Sequence, residues 1–137
     1  MHGVLNATDV RKEWGRFIDT VVHEKPAVVK RNRDFFLSLS VNHLMALLRD
    51  ISFKAGHFTE DDNSVTVTIE NLDLVVNAEN MEAAKKALAR ELMEYAQEYF
   101  NEFQLYFYSL NRQPHFPYVL KVLIQKDIQG VMDLISA

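Results

Sequence analysis

The chain of 137 residues has no cysteine, only four glycines and three prolines, and a single tryptophan. Without thiols there is no disulfide, no thiolate nucleophile and no soft metal ligand. Four scattered glycines build no glycine-rich loop of the kind that cradles phosphate. The five histidines, at positions 2, 23, 43, 57 and 115, lack the close pairing that metal sites use. No apolar run reaches the roughly eighteen residues that would cross a bilayer, and no secretory signal opens the chain, so a soluble, cytoplasmic protein without a membrane partner is expected. These absences remove the usual catalytic constellations. The expectation is a protein that is no enzyme and uses no cofactor or metal, with His115 as acid or base of a nuclease the remaining catalytic alternative.

What is present is a chain that is 48% apolar, enough for a folded core over its whole length, with its charge divided unevenly. Residues 1–50 hold eight Lys and Arg (at 11, 12, 16, 25, 30, 31, 33 and 49) against six acids, a net of +2. Residues 51–137 hold seven against thirteen, a net of −6. Such asymmetry suits a protein with two unlike partners, because binding follows local potential and not the overall −4.

The positive half reads as helix, hairpin, helix. Asn6 is suited to cap a helix and Asp9 lies in its first turn, after which Val10, Trp14, Phe17, Ile18, Val21 and Val22 recur at steps of three and four and form one apolar stripe. Lys25-Pro26 ends it. Ala27–Val29 and residues 35–39 read as two strands, joined by the polar turn Asn32-Arg33-Asp34, and Ser40 caps a short helix through Leu44, Leu47 and Leu48. The basic run Lys30-Arg31-Asn32-Arg33 sits at the hairpin tip, where it is either a solvated turn or a contact for DNA phosphates. Trp14, at the centre of the stripe, suits a core or a dimer interface better than base stacking. About fifty residues with this content bury too little apolar surface to stand alone, so pairing or docking is expected.

Asn-Ala-Thr-Asp-Val-Arg at 6–11, Val28-Val29-Lys30-Arg31, and Ser40-Val41-Asn42-His43-Leu44 together resemble the DNA-binding half of the Phd/YefM (prevent-host-death) antitoxin family, over roughly the first third of the chain. The resemblance implies a symmetric dimer that lays basic residues on operator DNA, with Arg11 and Arg31 foremost and Lys12, Lys30 and Arg33 beside them. It also implies a homodimer interface built on Trp14, Phe17 and Phe35, and a later segment that neutralises a cognate protein toxin, by analogy an RNase of the RelE type. The family's usual hairpin glycine is replaced here by Asp34 or is absent.

A boundary near Gly56 divides a DNA-binding and dimerisation domain (1–55) from a C-terminal α+β region (56–137). The acidic stretch 60–64 reads as a surface turn, since it lacks the ligand spacing and glycine of a calcium loop. Val65–Ile69 and Leu72–Val76 form a second hairpin. From Asn80 a helix of some thirty residues is expected, about 45 Å long, with Ala84, Leu88, Leu92, Tyr95, Tyr99, Phe103, Tyr106 and Leu110 on one stripe and Glu94, Glu98 and Glu102 on another face. Tyr95, Tyr99 and Phe103 are candidate anchors for a basic toxin, or else core. The loop Asn111 to Tyr118 leads into an apolar helix from Pro117, and a last helix carries Ile128, Val131, Met132, Leu134 and Ile135. The loop and helix resemble a segment of longer antitoxin-like proteins whose first part is Phd-like. The function expected is therefore antitoxin and autorepressor, the alternative a stand-alone regulator or ligand sensor. The fold class is α+β.

Overall fold

A computed structural model describes residues 1–136 and divides the chain into two compact units, Met1–Arg49 and a second that begins at Asp50. The junction falls six residues before the expected end of the first domain at residue 55. Gly56 lies inside a strand, opposite Thr68, and a Cβ there would come within 3.2 Å of the Thr68 hydroxyl. That glycine permits close strand pairing and marks no linker.

In the first unit, β1 (Leu5–Asn6), α1 (Ala7–Lys12), α2 (Trp14–His23), β2 (Ala27–Arg31), β3 (Asp34–Ser38) and α3 (Val41–Leu47) follow in order. The sheet runs β1-β2-β3, with β1 parallel and β3 antiparallel to β2. Asn6 caps α1 by accepting from the Thr8 amide at 2.8 Å, and Ser40 caps α3 by accepting from the His43 amide at 3.1 Å. The expected single first helix is two helices. Glu13 leaves helical geometry (φ −119, ψ 47) and re-aims the stripe that follows. Val10, Phe17 and Val21 therefore pack with Ala27 and Val29, while Trp14 (57% exposed), Ile18 and Val22 face outward. The hairpin turn is only Asn32-Arg33, since Arg31 pairs with Asp34. Asn32 adopts φ 55, a left-handed conformation that asparagine tolerates without the missing glycine.

The second unit is a four-stranded sheet, order β6-β5-β4-β7, made of β4 (Phe53–Thr59), β5 (Val65–Ile69), β6 (Leu74–Ala78) and β7 (Ile135–Ser136). It packs on α4 (Met81–Asn101), α6 (Phe116–Leu123) and α7 (Ile128–Leu134), with α5 (Phe103–Phe107) between α4 and α6 in the chain. Residues 60–64 form the expected turn, closed by Glu60 N–H to the Ser64 carbonyl at 2.8 Å. The Asp62 carboxylate accepts from the Ser64 hydroxyl and amide, bonds that hold its pKa below the ordinary value. Phe53, Val67, Ile69, Leu88, Leu92 and Val131 are the centre of the core. Ile135, expected in the last helix, instead extends and pairs in parallel with Phe53.

Asn80 caps α4 through the Ala83 amide at 2.8 Å, as expected, but the helix stops after 21 residues, about 32 Å at about 1.5 Å per residue. Glu102 breaks it with nearly the geometry of Glu13 (φ −112, ψ 43). Leu110, expected on the buried stripe, is 91% exposed as a result. Leu92→Ala is therefore expected to destabilise by about 2–5 kcal/mol, and Leu110→Ala to stay within about 0.5 kcal/mol of wild type. Denaturant unfolding of both variants checks this, and a large loss at Leu110 would restore the unbroken helix.

Candidate functional site

The basic side chains of the first unit sit where local structure holds them in water. Arg11 and Lys12 occupy the last turn of α1, Lys30 and Arg31 end β2, and Arg33 lies in the turn, all exposed. Among the described residues Arg11, Lys12, Arg31 and Arg33 form no ion pair. Lys30 Nζ lies 5.5 Å from the centre of the Phe35 ring, its cross-strand neighbour. The pairing of Asn6 with Lys30 sets the start of α1 beside the hairpin arm.

Around these charges the first unit leaves apolar surface uncovered. Trp14, Ile18 and Val22 on α2, Phe35, Phe36 and Leu37 on β3, and Val41, Met45 and Leu47 on α3 are all exposed. Of the expected dimer residues, Trp14 and Phe35 belong to this surface, whereas Phe17 is 8% exposed and supports Trp14 from below, with ring centres 5.5 Å apart. Helix α3 also carries a buried nitrogen, His43 Nδ1, with no hydrogen-bond partner among the described residues.

The second unit has a cleft of about 410 Å³, bounded by residues 72–74, the C-terminal half of α4, and the segment from Tyr106 to His115. Its wall is a linked set of aromatic and polar groups. The Tyr95 hydroxyl meets His115 Nδ1 at 2.6 Å, Tyr99 donates its hydroxyl to the Arg112 carbonyl at 2.8 Å, and Tyr106 donates to Glu98 at 2.9 Å. The Arg112 guanidinium lies over two rings, 4.6 Å from the centre of Tyr106 and 5.7 Å from that of Tyr95. Burial raises the phenol pKa of Tyr95 and Tyr99, while the bond to Glu98 is the main cause of the rise at Tyr106. Burial, followed by the charge of Arg112, holds His115 below its ordinary value. Asp73, Glu91, Glu94 and Glu98 complete the lining with carboxylates. Chemically this is an acidic, aromatic-walled concavity; no group of three metal-ligating side chains occurs among the described residues.

The three expected toxin anchors fare differently. Tyr99 is fully buried and offers no surface; the ring fills the core and the hydroxyl fastens the loop. Phe103 is half-buried among Phe107 and Phe116, each with its ring centre 5.2 Å away. Tyr95 alone lines the cleft. Arg112, to which sequence reasoning assigned no role, and His115, considered there only as the acid or base of a nuclease, organise that wall. The available signal was a polar loop packed with Arg, His and two prolines between aromatic helices.

The whole chain, residues 1–137, matches the PHD-like family described as "Antitoxin of toxin-antitoxin, RelE / RelB, TA system", and it belongs to that family. Among solved structures it is similar to a protein of Syntrophomonas wolfei subsp. wolfei described as the antitoxin part of a proposed toxin/antitoxin system. The two are 41% identical, with a TM-score of 0.91, over 98% of this chain and 96% of that one. No curated protein matches the sequence.

Tyr99→Phe leaves the ring in place but removes one of two donors to the Arg112 carbonyl, the other being the His115 amide at 3.0 Å. A loss of about 0.5–1.5 kcal/mol in denaturant unfolding is expected, the net worth of one hydrogen bond. A neutral result would mean that water or the His115 amide replaces the phenol there.

Proposed function

We propose that this antitoxin is of the Phd/YefM kind, binding operator DNA as a homodimer and repressing its own operon, while the unit from Asp50 onward engages a RelE-type RNase toxin. The observation that carries the reading is the exposed, ion-pair-free cationic turn, Lys30, Arg31 and Arg33, on a unit whose apolar faces are bare. Pairing two copies through Trp14, Ile18 and Phe35 covers that apolar surface and doubles the cations. Phe17 supports the interface from behind Trp14. Arg11 and Lys12 extend the phosphate contacts along α1. The charge of the two turns supports DNA contact, and repression follows from such contact at the operon's own promoter.

The toxin side rests on complementarity. An RNase presents cations to an RNA backbone. From residue 50 onward this chain has seven Lys and Arg against fourteen acids, a net of −7, and opposite potentials speed association and select partners. The acid-rimmed cleft at Tyr95, with the exposed Phe100, Leu105 and Tyr108 near the break at Glu102, is the proposed contact. Phe103 backs it from the core. The cleft also favours a second reading, a regulator that senses a small ligand, which is preferred if no toxin is encoded beside the gene.

Binding to the DNA upstream of the coding region, followed by fluorescence anisotropy between about 50 and about 200 mM salt, tests the first half. If Lys30, Arg31 and Arg33 of both copies neutralise about six phosphates, the slope of log K against log salt is about −5, and Arg31→Ala reduces it to about −4 with the fold unchanged. Unaltered affinity in that variant removes the assigned contact. Trp14→Glu is expected to yield a monomer in sedimentation, with the first unit destabilised and the second still folded; a wild-type chain that is itself monomeric removes the dimer. Co-purification with the product of the adjacent reading frame decides the toxin half.

A further inference from the structure

We propose that β6 is a docking edge, to which a partner adds an extended segment as a further strand, with one Lys or Arg of that segment entering the cleft at Tyr95. The partner's identity as a basic toxin rests on the antitoxin reading; the edge is a property of this chain. β6 is the outermost strand of the second sheet, bonded to β5 on one side only. Residues 74–78 pair with 65–69 in unbroken register, and among the described residues nothing bonds the backbone groups on their outer side. Edge strands are ordinarily blunted by a charge, a proline or a bulge. Leu74-Val75-Val76-Asn77-Ala78 has none of the three. Its five residues offer about 17 Å of backbone at about 3.4 Å per residue, enough for main-chain pairing to supply affinity while side chains supply selection.

The chemistry around the edge chooses the occupant. Leu74, Val76 and Ala78 pack on the core, so Val75, 64% exposed, and Asn77 face the opposite side of the sheet. Asn77 Nδ2 already donates to the hydroxyls of Ser64 and Thr66, each at 3.0 Å, which leaves Val75 as the open apolar contact. Successive side chains of an added strand alternate between the two faces. On the α4 side, beside Leu74, they meet the cleft, where Asp73, Glu91, Glu94 and Glu98 set four carboxylates against the one guanidinium of Arg112. Asp73, Glu91 and Glu94 form no ion pair among the described residues. A cationic side chain is attracted there and an acidic one repelled. A second copy of this unit would bring the same carboxylates and meet the same repulsion. The other side of the sheet ends in β7, two residues long, and the stretch of β4 that β7 leaves uncovered, residues 55–59, holds no acid with which to select a cation. The segment that fits β6 is therefore extended, with one basic residue between two apolar ones.

The probe is a capped peptide of alternating valine and threonine in which a central threonine is replaced by arginine. It is added to the full chain and followed by NMR through amide shifts and hydrogen exchange. Slowed exchange is expected at the outward amides of residues 74–78 and not at β3, the edge of the first sheet. Binding is expected to weaken about fivefold when Glu91→Gln and Glu94→Gln are combined, both exposed positions outside the core. It is expected to weaken at least about tenfold when the peptide carries glutamate in place of arginine. No protection at 74–78, equal protection of β3, or equal binding of the two peptides overturns the docking edge. A complex with the product of the adjacent reading frame in which residues 74–78 stay unprotected also overturns it, and leaves the antitoxin reading standing. If no such complex forms while the arginine peptide still binds at 74–78, the toxin reading fails and the docking edge remains.

Discussion

A unit of 49 residues that gathers Val10, Phe17, Val21, Ala27 and Val29 as its buried cluster must find further stability outside that cluster. Five side chains, three valines, one phenylalanine and one alanine, give little hydrophobic stabilisation against the chain entropy of so many ordered residues. Apart from the buried Leu48 and the half-buried Val28, Leu39 and Leu44, few of the other large apolar groups go to the interior. Trp14, Ile18, Val22, Phe35, Phe36 and Leu37 are turned to solvent on α2 and β3, and β3 is an edge strand with a free row of backbone groups. A long apolar edge left bare is an aggregation hazard in a monomer. The same surface is an advantage if a second copy covers it, because one association then supplies core, edge protection and a doubled cationic tip.

The second unit solves the opposite problem. It has ample apolar area, with Phe53, Leu88, Leu92 and Tyr99 fully or almost fully buried, and its difficulty is polar. Three tyrosine hydroxyls, a guanidinium and an imidazole lie near the end of α4, and each must be satisfied in the partly dry wall they share. Tyr95 and His115 bond each other, Tyr99 and Tyr106 donate to the Arg112 carbonyl and the Glu98 carboxylate, and the guanidinium lies over two of the rings. The break at Glu102 makes this possible, since it lets α5 fold back so that Tyr106 reaches Glu98 and Arg112 reaches Tyr106. A continuous helix would have carried Tyr106 and Leu110 along the α4 axis, away from the loop.

Local signals in the sequence translated into structure wherever the determinant was local. Asn6, Ser40 and Asn80 each bond a backbone amide two or three residues on, which is all that a cap requires. The alternation of residues 65–69 became β5 with Val67 and Ile69 inward. What remained illegible was non-local or conformational. Periodicity runs unbroken through Glu13 and Glu102 because a single change of ψ leaves residue spacing untouched. Lys54-Ala55-Gly56-His57 lacks a strand's composition and becomes β4 because β5 and the two-residue β7 pair with its flanks. The resemblance to antitoxins was visible in the first third of the chain, and the family match over residues 1–137 extends it. Arg112 and His115 were hidden for the same reason as β4: their partners lie on another element.

Moving the boundary to its structural position also sharpens the electrostatics. With Asp50 in the second unit, residues 1–49 carry eight Lys and Arg against five acids, +3, and the rest carry −7. At physiological ionic strength a charge is felt over about 8 Å, so a partner at close range reads the charges of the surface it touches, and the molecule's −4 describes neither unit. On the proposed function, a cation-free acidic head could not approach phosphate, and a basic second unit would compete for the same DNA. Segregating the signs then lets one chain hold a polyanion and a basic protein without either partner displacing the other by charge alone.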